Sequence, residues 1–343
     1  MLRRAPQFRE GARIHSPAFK RRRCLGAWLQ ETDMLSRPGL PALHVSSRWL
    51  EDARRLPELF KLRIGLAIAF TALAGYVVSP ADGKSPARAL ALAISALLAS
   101  AAAGAFNQYA ERDLDARMRR TRARPFASGH WPPGPAWLVL IAAVGAAGVA
   151  MAGSIFGPAT AAYLFLGAFT YGVVYTVWLK RRSAWNIVIG GLAGSFSVLA
   201  GDAAAGAPTP TLRALAFAWI LFLWTPPHFW SLAIALREDY ESAGVPMLPV
   251  VVGPKKAARI VFLSAMALSG SAFLPVATGL GGIYVAATAI ASVLLLVRSR
   301  QLARSPIARI AMLNFHATLA WLVLVLLGAM LDSVLIASWV RGG

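Results

Sequence analysis

Residues 88–125 read RALALAISALLASAAAGAFNQYAERDLDARMRRTRARP. The segment through Tyr109 carries one charge, Arg88, and is otherwise built almost wholly from Ala, Leu, Ile, Ser and Gly. At about 1.5 Å per residue, a helix over 88–109 spans roughly 33 Å, enough to cross a hydrocarbon core about 30 Å thick. The rest turns abruptly polar, with Glu111, Asp113 and Asp115 among six arginines. A membrane-crossing helix that runs straight into a charged loop sets the fold class, and the same pattern recurs along the chain.

Eight further apolar segments lie at about 61–79, 136–154, 159–178, 186–203, 213–235, 258–277, 281–297 and 310–331. Pro80, Pro86, Pro132, Pro133, Pro158, Pro208, Pro254 and Pro306 punctuate their ends. Over the 343 residues, 57% are hydrophobic and the mean hydropathy is +0.57, above the 45–50% apolar content of ordinary soluble domains. No sustained period-two alternation occurs, which argues against a membrane barrel. The expected fold is all-α: a polytopic membrane bundle of nine transmembrane helices. Small residues such as Gly190, Gly191 and Gly194 would let those helices pack backbone to backbone.

The net charge of +20 invites a nucleic-acid reading. The charges, however, sit in short loops between apolar segments rather than on one soluble domain. Loops after the second, fourth, sixth and eighth spans hold seventeen Lys and Arg, and the intervening loops hold three: Lys84, Arg88 and Arg213. That asymmetry predicts a cytoplasmic N-terminus, or its organellar equivalent, and no nucleic-acid partner. Residues 1–50 form a basic extension without an apolar signal core, and Met34 is an alternative start. The membrane domain is expected over 51–335, with a short tail at 336–343. The single cysteine, Cys24, excludes an intramolecular disulfide.

Asn107, Glu111 and Asp115 are spaced i, i+4, i+8, which places them on one helix face where the second span leaves the membrane. Asp113 points elsewhere if the helix persists. Two carboxylates and an amide oxygen form a hard-oxygen set suited to Mg²⁺ with retained waters. The arginines alongside suit the phosphates of a diphosphate substrate. A solvated loop whose acids and arginines merely pair is the competing reading. After the sixth span, Arg237, Glu238, Asp239, Tyr240 and Glu241 again crowd acids onto the same face. They suit metal ions on a second side of one diphosphate, or an ordinary helix end with an Arg237–Glu241 pair. Within the sixth span, Trp224-Thr225-Pro226-Pro227-His228-Phe229-Trp230 predicts a broken or kinked helix with His228 beside a cavity. A buried structural histidine remains open at that position, and a structural role is favoured for His316 beside Asn314.

Three stretches carry a resemblance: NQYAERDLDARMRRTRARP at 107–125, YTVWLKRRSAWNIVIGGLAG at 175–194 and WTPPHFWSLAIALREDYESAGVPMLPV at 224–250. Together they resemble the heme branch of the UbiA-type intramembrane prenyltransferases, the protoheme IX farnesyltransferases, over about residues 50–335. The resemblance implies nine helices around a central cavity, farnesyl diphosphate as donor, heme b as acceptor substrate and heme O as product. It also implies Mg²⁺, with Asn107, Glu111, Asp115, Glu238 and Asp239 as metal ligands. Asn107, Glu111, Asp113, Asp115, Asp239 and His228 would be the catalytic set. Arg120, Arg124, Lys180, Arg181, Arg182 and Arg237 would contact the diphosphate. The compact loops and the absence of an obvious amphipathic presequence favour a bacterial inner membrane, with the mitochondrial inner membrane as alternative, and a downstream heme A synthase is an expected partner. The superfamily pattern of two aspartates four apart is absent at Leu236-Arg237-Glu238-Asp239-Tyr240, which leaves the number of metal ions there open. Prenylation of a quinone precursor and ion transport are the rival functions; the WTPPHFW segment opposes the first, and acids gathered at one face rather than the midplane oppose the second.

Overall fold

The structure, a computed structural model, describes residues 55–342, with side chains through Leu335. The basic extension, Met34 and Cys24 lie outside the described residues. Helices dominate, and no strand occurs among the described residues. In chain order they are α1 (Leu62–Val78), α2 (Pro86–Ala110), α3 (Arg112–Arg117), α4 (Pro135–Phe156) and α5 (Pro158–Phe169). A π-helix over Thr170–Leu179 continues α5. Then follow α6 (Asn186–Gly190), α7 (Leu192–Ala204), α8 (Leu212–Ala235), α9 (Arg237–Ser242), α10 (Leu248–Val251) and α11 (Pro254–Ser271). A 3₁₀ turn (Leu274–Thr278) leads to α12 (Gly282–Arg304) and α13 (Ala308–Gly342).

Among the described residues, eight helical segments are long and apolar enough to cross a membrane, and α1 is a shorter apolar helix of 17 residues. The chain is therefore a multi-pass membrane protein. Leu66, Leu90, Val139 and Leu212 are each more than half exposed. Bulky apolar side chains on the outside are what a lipid-facing surface requires, because lipid is as apolar as they are. The backbone helix of α13 continues to Gly342, through the segment where the sequence suggested a tail.

Local chemistry explains the boundaries. Pro135, Pro158 and Pro254 open α4, α5 and α11 from the first helical turn, where a missing N–H costs nothing. The Ser85 hydroxyl accepts the Arg88 N–H at 3.3 Å to cap α2. Asp202 receives the N–H and hydroxyl of Thr211 at 2.9 and 3.0 Å, and Thr211 in turn caps α8. At the same end of the bundle, the Asp332 carboxylate accepts the Gly281 and Ile283 N–H groups at 2.5 and 3.2 Å, closing the start of α12.

Packing is closest between α1 and α7. A Cβ on Gly75 would lie 2.3 Å from the Val198 carbonyl oxygen, and one on Gly201 only 2.0 Å from that of Ala72. Only glycine permits this backbone contact. Where the sequence predicted a broken or kinked helix, the backbone of α8 is unbroken and helical through Pro226 and Pro227. Hydroxyls flanking the prolines donate back along the helix, Thr225 to Leu221 O at 3.0 Å and Ser231 to Pro227 O at 2.6 Å, while the carbonyls that lose an i−4 donor to Pro226 and Pro227 are those of Phe222 and Leu223.

At the charge-rich end, α3 and α9 meet. The Arg119 N–H donates to Asp239 Oδ1 at 3.3 Å and the Ser242 hydroxyl to Arg117 O at 3.3 Å. Leu114, Met118, Tyr240, Val245 and Met247 bury together beneath them. The two acidic loops thus form one cap over the membrane helices.

Candidate functional site

Beneath this cap lies a cavity of about 1010 Å³. Its wall includes Asn107, Glu111 and Asp115, all at most 2% exposed. Glu111 ends α2 and precedes α3, so the helix hitches there, yet all three residues reach the cavity as the i, i+4, i+8 spacing requires.

Each of the three meets a cation. Lys61 Nζ donates to Asn107 Oδ1 and, at 3.0 Å, to the Tyr171 hydroxyl. Lys180 Nζ lies 2.5 Å from Glu111 Oε2. Arg124 Nη1 donates to both Asp115 oxygens at 2.9 and 2.8 Å. Asn107 also donates from Nδ2 to Thr176 Oγ1 at 2.9 Å, which fixes its oxygen toward Lys61. For Glu111 and Asp115, an opposite charge drawn close in a low-dielectric wall offsets the desolvation that each carboxylate would suffer alone; Asn107 is uncharged and only accepts a hydrogen bond from its cation.

The other expected residues fall into three groups. Arg120 lines the cavity with Arg124 and Lys180. Asp113 faces away and is gripped by Arg181 at 2.8 and 2.7 Å; that hydrogen-bonded pairing holds its carboxyl below the usual range. Arg182 is exposed, and Arg237 makes its i,i+4 contact with Glu241 at 3.3 Å. From α9 it is Tyr240 that lines the cavity, its phenol pushed up to about 12 by burial. Glu238 is exposed and Asp239 takes the Arg119 N–H. Among the described residues no three Asp, Glu, His or Cys side chains gather tightly enough to hold a metal, so the second loop does not join Glu111 and Asp115 in a single acidic cluster. His228 is sandwiched between Trp224 and Phe315 at centroid distances of 4.1 and 4.5 Å, with Nδ1 2.8 Å from Thr318 Oγ1. It does not line the cavity, and this geometry favours the structural histidine. His316 is exposed.

Sequence reasoning missed Lys61, Tyr171 and Tyr175. The signal was weak: a lone basic residue where the first span begins, and two tyrosines on the fourth. Lys61 has the only positive φ among described non-glycine residues, 46°. That left-handed turn at the start of α1 carries a steric cost and fixes where the side chain leaves the backbone.

Mg²⁺ suits the donor set. Asn107, Glu111 and Asp115 offer hard oxygens, and Glu111 Oε1 is buried without a hydrogen-bond partner. A buried carboxylate oxygen lacking a donor is a position that a cation or its water can satisfy.

Comparison with known proteins gives consistent findings. The model of the UbiA prenyltransferase family matches residues 68–319. Protoheme IX farnesyltransferase 2 of Paramagnetospirillum magneticum is 49% identical over 280 residues, which cover 82% of this chain and 97% of that protein. Protoheme IX farnesyltransferase 1 of Cenarchaeum symbiosum is 37% identical over 82% of this chain and 96% of its own length. Among solved structures, a UbiA homolog from Aeropyrum pernix K1 superimposes with a TM-score of 0.64 at 21% identity, covering 79% of this chain and 98% of that one. A UbiA homolog from Archaeoglobus fulgidus, bound to DMAPP and Mg²⁺, gives 0.59 at 18% identity over 79% of this chain and 99% of that one. At such identities the likeness is one of fold.

Proposed function

Because the chain belongs to the UbiA prenyltransferase family, we propose that it transfers the farnesyl group of farnesyl diphosphate to a vinyl group of heme b, giving heme O and diphosphate. The observation that carries this reading is the Asn107–Glu111–Asp115 wall with its three cations above a helical bundle. The acceptor rests on the names of the relatives, which are 37–49% identical over four fifths of the chain.

Asn107, Glu111 and Asp115 would hold Mg²⁺, which supplies charge to the diphosphate oxygens as the allylic C–O bond breaks. Lys61, Arg120, Arg124 and Lys180 would bind the same oxygens and stabilise the departing diphosphate. Arg181, Arg182 and Arg237 lie further out and would act, if at all, on the donor's approach. Asp239 would steady the cap through Arg119 rather than touch the donor. Tyr171, Tyr175 and Tyr240 line the cavity and present aromatic faces, the group that best tolerates an adjacent carbocation without quenching it. Water must be kept from that cation until the vinyl carbon has attacked; it then adds to complete the hydroxyethylfarnesyl group. We place the protein in a bacterial inner membrane, supplying a heme A synthase that consumes its product.

The test is a product assay. Purified protein in lipid nanodiscs, given heme b, farnesyl diphosphate and Mg²⁺, is expected to yield heme O by mass, with loss of product on chelation. Prenylation of a quinone precursor with heme b untouched would replace this reading by the other aromatic-acceptor branch.

A further inference from the structure

A second cavity opens below the first. Lys61, Ile64 and Tyr171 line both, so the two adjoin just below Asn107, which lines the first. From there the second cavity descends between α1, α2, the α5–π helix and α7, walled by small residues such as Gly104, Ala103 and Gly167. Its lining is almost wholly apolar, and its lower end is marked by Ala96, Leu164 and Ser197.

Depth follows from helix geometry. Asn107 to Ala96 on α2 is a descent of about 16 Å, and Tyr171 to Leu164 on the adjoining helix about 10 Å. The Leu164 side chain leans toward its own helix start, which is deeper still. Each isoprene unit advances an extended chain by roughly 5 Å, four carbon–carbon bonds of about 1.5 Å in zigzag. Three units therefore reach about as far as the cavity floor, and a fourth overruns it. The floor is solid: Leu164 and Ala96 belong to a buried cluster with Leu92, Ala72 and Ala200. Tyr163 beside it stacks on Phe196 at 6.4 Å, which braces the outer side.

We propose that Leu164, set against Ala96 and Ser197, is the stop that holds the isoprenoid donor at three units, and that Ser100 marks the depth of the second. Resting on the prenyl-diphosphate reading above, this goes beyond it by naming the residues that select chain length. Leu164→Ala removes three carbons from the floor. Ser100→Leu inserts bulk about 10 Å below Asn107, where the second unit ends and the third would begin.

The test is binding rather than turnover. Unreactive geranyl, farnesyl and geranylgeranyl thiodiphosphates are titrated with Mg²⁺ into protein in nanodiscs, without acceptor. Wild type is expected to favour farnesyl over geranylgeranyl by at least tenfold. L164A should improve geranylgeranyl relative to farnesyl by tenfold or more, and S100L should weaken farnesyl by tenfold while sparing geranyl. Leu164→Val, a smaller change in a packed site, should shift in the same direction by less and covers the case in which L164A fails to fold. Wild-type discrimination retained in all three variants overturns the stop. Displacement by a fatty acid, without dependence on prenyl length, assigns the cavity to lipid and overturns it too. A wild type that binds none of the three donors removes the prenyl-diphosphate reading itself, a result distinct from retained discrimination.

Discussion

Lys61, Lys180 and Arg124 each hold one of the groups expected to bind Mg²⁺. Asn107 is uncharged, so these three cations outnumber the two carboxylates, and they would be at hand for a diphosphate if Glu111 and Asp115 turned to a metal. Glu111→Gln and Asp115→Asn each keep size and shape but remove a charge. Each should lower turnover by about 100-fold or more, since a metal-held leaving group loses its principal stabilisation. Asp113→Asn, on the exposed pair with Arg181, should stay within about tenfold and cost at most roughly 1 kcal/mol of stability. Steady-state kinetics on the three variants checks the ranking; equal losses would mean that Asp113 also faces the donor. The i, i+4, i+8 triad was legible because α2 runs through Glu111 almost directly into α3, close enough to one helix for the spacing to hold. Lys61 was not, because it approaches Asn107 from 46 residues away. Glu238 and Asp239 were expected at the cavity and Tyr240 was found there. Successive residues on a helix differ by about 100°, and nothing in a six-residue helix such as α9 announces its rotation.

At the level of elements, two features position the site. The π-helix over Thr170–Leu179 widens the end of the fourth span where Tyr171, Tyr175 and Thr176 meet the second, and Lys180 follows it directly. Extra residues per turn let that segment turn several side chains toward one wall, a recurrent use of π geometry at functional sites. No sequence signal separates such a segment from ordinary helix, since both are apolar here. The second feature is the glycine contact of α1 with α7. Gly201→Val would force atoms into the Ala72 carbonyl, and Gly75→Val into that of Val198. Overpacking of side chains alone costs about 1–3 kcal/mol, and backbone is less able to yield. Thermal unfolding in detergent should show a clear drop in midpoint for both variants; an unchanged midpoint would mean that the two helices part without loss. The prolines of α8 show the limit of local rules. Pro226 and Pro227 argued for a break or a kink, and the span nevertheless stays helical through both of them.

Across the molecule, the charge asymmetry and the apolar segments disclosed the membrane bundle before any coordinate. They also indicated that the two acidic loops share a face, and α3 and α9 do meet there in one cap. What pattern could not disclose is the vertical order beneath that cap: charged wall, aromatic lining, then an apolar cavity reaching down to Leu164. In the proposed reaction that order would set the direction, with the diphosphate at the polar end and the isoprenoid below. The most direct test is calorimetric binding of farnesyl thiodiphosphate to the full chain in nanodiscs, with and without Mg²⁺, in wild type and in Glu111→Gln and Asp115→Asn. Tight binding that requires both Mg²⁺ and the two carboxylates is the expected result. Equal affinity in wild type and both variants, or indifference to Mg²⁺, would contradict the assignment of this wall as the donor site.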